Sequence, residues 1–130
     1  MTHPLSTIYL AVTGLFFLGS GALALARPRQ FADRLDLAMA RAGGLNEVRA
    51  QYGGFFLMLG SVCALAALGA VDRRFGLGVA AVTMGGVIGG RLLGLAVDRD
   101  LTGYGPMIRT LFLVDATGCA LAVAALVLEG

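Results

Sequence analysis

Four stretches of the chain carry almost no charge and are separated by short polar segments. Residues 4–26 and 50–71 contain no charged side chain, residues 75–97 contain one, and residues 105–128 contain two. A helix needs about 20 apolar residues to cross a bilayer, and each stretch is long enough. Backbone polar groups in lipid must be satisfied within their own element, and no alternating strand pattern occurs. We therefore predict an all-α fold, a four-helix transmembrane bundle that forms a single domain.

The connection between the first two spans has an apolar face at helical spacing. The face follows Pro28, a residue that suits a first helical turn. Its members are Phe31, Leu35, Ala38, Met39 and Ala42. This pattern predicts a short amphipathic helix over residues 28–42 that lies in the membrane interface and is ended by Gly43-Gly44. An ordinary solvated connector helix is the alternative.

The composition supports a membrane protein and excludes several classes of site. Hydrophobic residues make up 58% of the chain and charged residues 14%, whereas soluble domains carry about 25% charged residues. The net charge of +2 is too small to indicate nucleic acid as a partner. Cys63 and Cys119 lie in apolar stretches without metal-ligand spacing, and His3 is the only histidine. No metal and no cofactor is predicted.

Arginines are distributed unevenly among the connections. The first connection holds five of them, the second holds Arg73 and Arg74, and the third holds Arg99. Because loops rich in arginine stay in the cytoplasm, we expect the first and third connections inside and both termini outside. Arg73 and Arg74 oppose this orientation.

Glycines at a spacing of four residues mark the third span. Gly86, Gly90 and Gly94 form a repeated GxxxG pattern, which is typical of close helix contacts in membranes. With four helices to assemble, we expect these contacts within the chain first. The motif is equally compatible with contacts between chains, in a homo-oligomer or a larger membrane complex.

Two charges lie deep in the last two spans, on the predicted cytoplasmic half. Arg91 lies roughly 10 Å, and Asp115 roughly 15 Å, from the cytoplasmic ends of their spans. A charge at the centre of a bilayer costs about 2.5–3.5 kcal/mol on insertion scales, so pairing is expected. Arg91 can reach Asp115 or turn back towards Asp98. Only the first contact relieves Asp115, so we predict an ion pair between the third and fourth spans.

These charges allow a functional and a structural interpretation, which the sequence does not separate. The functional one is a polar pocket open to the cytoplasm that binds an anionic amphiphile or lipid. Its candidate residues are Asn46, Arg49, Tyr52, Arg91, Arg109 and Asp115. The structural one is an ionic staple that fixes helix register. Two further hypotheses are a membrane-embedded enzyme with Asp115 as its acid or base, and an oligomeric transporter or channel.

The segment NEVRAQYGGFFLMLG (residues 46–60), preceded by GLFFLGSGALALARP (14–28), resembles the bacterial family DUF4345, a domain of unknown function. GGRLLGLAVDRD (89–100), followed by a span with an internal acid, is similar to the same family. The resemblance implies a small four-span protein of the bacterial inner membrane, without an assigned activity. Asp98-Arg99-Asp100 stands where the family pattern has an Asp-Gly step. A looser likeness to DoxX-like proteins implies quinone or thiol oxidation, but no redox motif is present.

Overall fold

The computed structural model describes residues 4–130, so His3 lies outside the described residues. The elements are α1 (Pro4–Ala26), α2 (Pro28–Arg34), α3 (Ala42–Val48), a π-helical turn (Arg49–Gly54), α4 (Phe55–Ala67), α5 (Arg73–Asp98) and α6 (Pro106–Glu129). Because α3, the π-helical turn and α4 form one continuous helix, four helices are long and apolar enough to cross a membrane. The predicted all-α fold with four spanning helices is confirmed, and it implies a lipid bilayer as the surroundings.

Local signals in the sequence set most helix ends. Prolines occupy the first turns of α2 and α6, where the missing N–H is not needed. Asp72 caps α5, since its carboxylate accepts a hydrogen bond of 2.9 Å from the Phe75 backbone N–H. At the end of α4, Gly69 adopts a φ of +76°, and the next residue donates its N–H to the carbonyl of Leu65. This is the Schellman arrangement, in which glycine is favoured because it has no Cβ.

The predicted helix over residues 28–42 is present from Pro28 to Arg34, and the prediction is wrong beyond Arg34. The chain leaves the helix at Asp36, which adopts a φ of +58°, and the Leu37 N–H donates to the Ala32 carbonyl at 3.0 Å. This is again a Schellman ending, with aspartate in the left-handed position. Leu35 and Leu37 then line the same cavity. On one helix, residues two positions apart point to different faces, so both could not line it. Tertiary packing of the two leucines therefore overrides the helical pattern.

The predicted helix stop at Gly43-Gly44 is also wrong. Both glycines lie in the first turn of α3, and the second long helix begins at Ala42, whereas the predicted span began at residue 50. A glycine ends a helix by adopting a left-handed φ. Among the glycines of residues 4–130, only Gly69 has a positive φ. Gly43 and Gly44 therefore stay helical.

The four long helices form two antiparallel pairs, α1 with α4 and α5 with α6. Glycines allow the first pair to approach closely. A Cβ added at Gly14 would lie 3.0 Å from the Ala64 backbone nitrogen, and one added at Gly60 would lie 2.7 Å from the Leu18 backbone nitrogen. Further along, a Cβ at Gly21 would lie 2.9 Å from the carbonyl oxygen of Gly53. The contact surface therefore has no room for larger side chains at these positions.

Such close helix contacts are not made within the chain by Gly86, Gly90 and Gly94. The expectation that these glycines pack helices of one chain together is therefore wrong. A Cβ added at Gly86 or Gly90 would meet nothing within 4 Å, and one at Gly94 would meet only the Tyr104 hydroxyl, at 3.6 Å. On this face of α5, Gly86 meets no other helix, whereas Gly90 faces the cavity between the helix pairs without a close contact. A contact of this row with another chain stays a prediction.

The two pairs meet at the end of the bundle that carries the chain termini. Leu10, Cys63 and Leu77 are fully buried there, in a core that α6 joins through Ala122 and Ala125. The buried residues of α5 all lie between Gly76 and Met84, and none follows Met84. The pairs therefore pack together near the termini and separate towards the end that carries the first and third connections.

This packing predicts opposite effects of the same substitution on two helices. Gly60→Ala should lower the free energy of unfolding by about 1–3 kcal/mol, because its Cβ meets backbone atoms that cannot yield. Gly86→Ala should cause no loss and a gain of at most about 1 kcal/mol, because its position is open and alanine favours helices. Unfolding of both variants in detergent micelles measures the difference. An equal loss in Gly86→Ala would instead show that Gly86 packs against a second chain.

Candidate functional site: a cleft between the helix pairs

Where the helix pairs separate, they enclose a cleft of about 820 Å³. All four long helices and the first connection contribute to its walls. The apolar part of the wall consists of Phe16, Phe17, Leu23, Phe31, Leu35, Leu37, Phe55, Phe56, Met84, Val87, Gly90, Met107, Ile108 and Leu111. The polar part consists of Ser20, Arg34, Gln51, Tyr52, Thr83, Arg91 and Asp115. The volume lies within the range of about 300–1,000 Å³ that is typical of sites for small molecules.

The rim of the cleft is apolar and open. Phe16 on α1 is 42% exposed, Phe55 at the start of α4 is 51% exposed, and Met107 on α6 is 42% exposed. In a spanning protein, exposed apolar side chains on long helices face lipid tails. The cleft is therefore accessible from the hydrocarbon.

The predicted ion pair between Arg91 and Asp115 is confirmed. Nε of Arg91 donates a hydrogen bond of 3.0 Å to Oδ2 of Asp115, which joins α5 to α6. Only 9% of the Asp115 side chain is exposed, compared with 23% of the Arg91 side chain. Both residues line the cleft. The pair thus combines the two interpretations, because it links two helices and forms part of a cavity wall.

The Arg91 guanidinium has donors left over after this contact. Its central carbon lies 5.8 Å from the centre of the Phe112 ring, a cation–π distance that supports its position. The guanidinium carries five N–H donors, of which Asp115 accepts the one on Nε. Among residues 4–130, no side chain or carbonyl accepts a hydrogen bond from Nη1 or Nη2. These nitrogens are available to a ligand in the cleft.

The π-helical turn positions Tyr52 in the opposite wall. The Tyr52 ring packs on Phe31 at 5.3 Å and on Phe56 at 5.6 Å, measured between ring centres. Gly53, the next residue, faces away from the cleft and packs on Leu25 of α1. A π-helical turn adds one residue to the helical repeat, and such turns occur frequently at functional sites. Here the turn lets Gly53 contact α1 while Tyr52 faces the cavity.

Three of the predicted site residues do not line the cleft. Asn46 and Arg49 are exposed and lie outside its wall. Arg109 is also exposed, and it binds the third connection instead: Nε donates to the Tyr104 carbonyl at 2.8 Å, and Nη2 donates to the Leu101 carbonyl at 2.6 Å. The structure therefore brings together Tyr52, Arg91 and Asp115 from the predicted set. Arg109 has a structural role in holding the loop between α5 and α6.

The third connection is ordered by its own polar groups. The Tyr104 hydroxyl donates to Asp98 at 2.6 Å, which raises the pKa of the Tyr104 phenol above its ordinary value. The Thr102 hydroxyl and backbone N–H both donate to Asp100, which lowers the pKa of that carboxyl. Arg99 adopts a φ of +63° at the end of α5. A glycine would adopt this conformation without strain, so the Asp-Gly step that the sequence resemblance implies here would suit the observed backbone better than Asp-Arg.

Sequence reasoning missed four polar residues of the cleft wall. Arg34 is not a member of the apolar face predicted for residues 28–42, and it lies in the wall where α2 ends. Gln51 lies in the π-helical turn, and no periodic pattern in the sequence predicts such a turn. Ser20 and Thr83 are single small polar residues within apolar spans. Among residues 4–130, no group of three His, Cys, Asp or Glu side chains is arranged to hold a metal ion.

A comparison with protein families matches residues 5–126 to the domain of unknown function DUF4345. The chain belongs to the DUF4345 family. No match was found among curated proteins or among solved structures. The family match covers nearly the whole chain of this DUF4345 protein, including every residue of the cleft wall. The family description names no activity.

The ion pair predicts a characteristic pattern of stability. Arg91→Leu should lower the free energy of unfolding by about 2–4 kcal/mol, because it leaves the Asp115 carboxylate buried without a partner. Replacing both residues, with Arg91→Met and Asp115→Leu, should restore most of the loss, because no buried charge remains. Thermal unfolding in detergent compares the variants. If the double variant is as unstable as the single one, the contribution of the pair is not electrostatic.

Proposed function

We propose that this DUF4345 protein binds a membrane amphiphile with an anionic head group in the cleft between its helix pairs. The observation that carries the proposal is that one cavity combines a mostly apolar wall with a guanidinium that has unpaired donors. Aromatic and aliphatic side chains form most of the wall and reach the lipid-facing rim, while the Arg91 guanidinium offers unused donors inside it. An apolar chain fits the first feature and an anion fits the second.

The charges of the wall support an anion as the bound group. Arg34 and Arg91 contribute two positive charges, and Asp115 contributes one negative charge, so the wall has a net charge of +1. The chain offers no other acidic residue in the wall. The exposed Arg34 supplies this excess, and an anionic head group would balance it, whereas an uncharged ligand would not.

The other hypotheses receive less support from the same geometry. An enzyme with Asp115 as its acid or base would benefit from a carboxyl that is exposed to the cleft and unpaired. Asp115 is instead bonded to Arg91 and almost fully buried. A channel within a single copy would need a path through the bundle, whereas the core around Leu10 and Leu77 fills the end near the termini, so a channel would require a pore between copies. Binding without transfer through the chain agrees best with these contacts.

Fluorescence quenching tests the proposal. The chain contains no tryptophan, so Phe55→Trp places a single reporter at the cleft rim. In phosphatidylcholine nanodiscs at mildly alkaline pH, a brominated fatty acid should quench this tryptophan at roughly tenfold lower concentration than the corresponding brominated alcohol, because only the acid carries a charge for Arg91. Steady-state titrations measure both.

The matched control is Leu121→Trp, which places a tryptophan on the exposed face of α6 outside the cleft wall. There the acid and the alcohol should quench alike, since both reach it only by diffusion in the bilayer. Equal quenching of the cleft reporter by acid and alcohol would exclude a carboxylate as the head group. Equal quenching by brominated phosphatidylglycerol and brominated phosphatidylcholine as well would exclude the proposed function.

We further propose that the protein lies in the bacterial inner membrane with both termini outside, so that the cleft opens towards the cytoplasm. The support is the concentration of five arginines in the first connection, part of which forms the cleft wall. In this orientation, the cleft takes its ligand from the inner leaflet.

Reporter fusions test the orientation. Alkaline phosphatase fused after Gly130 should be active, because it folds only outside the cytoplasm, and the same enzyme fused after Asp100 should be inactive. Green fluorescent protein at the same two positions should give the reverse pattern. An active phosphatase after Asp100 would contradict the proposed topology.

A further inference from the structure

We infer that Asp115 is a positioning residue that aims the free edge of the Arg91 guanidinium at a monoanionic head group. This inference rests on the proposed function, and it names both the class of head group and the residue on which its recognition depends. Asp115 itself does not touch the ligand's anion in this arrangement. It acts through Arg91.

The contact between the two residues has a specific geometry. Oδ2 of Asp115 accepts from Nε, the inner nitrogen of the guanidinium, rather than from a terminal nitrogen. This leaves Nη1 and Nη2 together as an undivided pair of donors. A planar guanidinium presents such a pair as a fork that matches two oxygens of one anion.

The charge balance of the cleft wall selects the class of anion. The wall has a net charge of +1, which one negative charge neutralises. A carboxylate and a phosphodiester share the required chemistry, because each distributes a single charge over two equivalent oxygens. A dianionic phosphate monoester would leave an excess negative charge beside the buried Asp115 carboxylate.

Arginine needs such a positioning partner at this place in the helix. The long side chain of Arg91 can extend towards the end of α5, where Asp98 lies on the same face and nearer to water. The structure shows Arg91 bonded to Asp115 and Asp98 bonded to Tyr104 instead. Asp115 therefore keeps the guanidinium within the cleft wall.

The substitution Asp115→Asn separates positioning from simple attraction. It removes a negative charge, so attraction alone would increase the preference of the cleft for anions. Loss of positioning should instead reduce the preference for the brominated acid over the alcohol by roughly tenfold, the size of one charge-assisted hydrogen bond. The Phe55→Trp reporter measures the preference in phosphatidylcholine nanodiscs. Quenching by the alcohol should not change, which shows that the cleft is still formed.

Three further variants complete the test. Asp115→Glu keeps a carboxylate and should retain most of the preference. Asp98→Asn makes the same chemical change at the alternative acid and should have no effect. Arg91→Lys keeps the charge but lacks the fork, so it should lose the preference, and it provides the test if Asp115→Asn does not fold. Full preference for the acid in Arg91→Lys would overturn the inference.

Two outcomes distinguish the inference from the function on which it rests. A wild-type cleft that does not prefer the acid, and does not prefer brominated phosphatidylglycerol to brominated phosphatidylcholine, excludes the function and the inference together. A wild-type preference that is unchanged or stronger in Asp115→Asn overturns the inference alone. A larger preference for the acid over the alcohol identifies the head group as a carboxylate. A larger preference for phosphatidylglycerol over phosphatidylcholine identifies it as a phosphodiester.

Discussion

The position of small residues along the helices determines where this bundle closes. Helices in a bilayer gain no hydrophobic driving force from association, so they pack where their backbones can approach. Gly14, Gly21 and Gly60 allow α1 and α4 to pack closely along much of their length. The pairs meet through alanines and leucines near the termini, whereas Phe16, Phe55 and Met107 stand at the other end. The cleft is therefore a consequence of the packing.

Much of the fold could be predicted from the sequence, because its signals are long or chemically strong. The long stretches with few or no charges predict the four spanning helices, and the cost of a lone buried charge predicts the contact between Arg91 and Asp115. The end of α2 could not be predicted, since it depends on Leu35 and Leu37 packing into the same cavity. Gly86 and Gly90 show the limit of the GxxxG pattern, which reports a small face but not what the face contacts.

The candidate site was harder to predict than the fold, because membership in it depends on local backbone geometry. Tyr52 reaches the cleft wall from a π-helical turn, while Arg49 in the same turn stays exposed. Arg109 lies near the same end of the bundle, but its donors bind carbonyls of the third connection. The depth of a side chain in the membrane can be calculated from its position in the sequence. Which neighbour the side chain faces around the helix axis is known only from the packed structure.

Stability alone does not account for an ion pair at this position. Replacing a buried pair by well-packed apolar residues of similar volume is often neutral or favourable, so a staple between α5 and α6 needs no charges. The pair also lines an open cleft, and it leaves Arg91 with donors that no group in residues 4–130 accepts. The unused donors therefore support the proposal that Arg91 binds a group outside the chain.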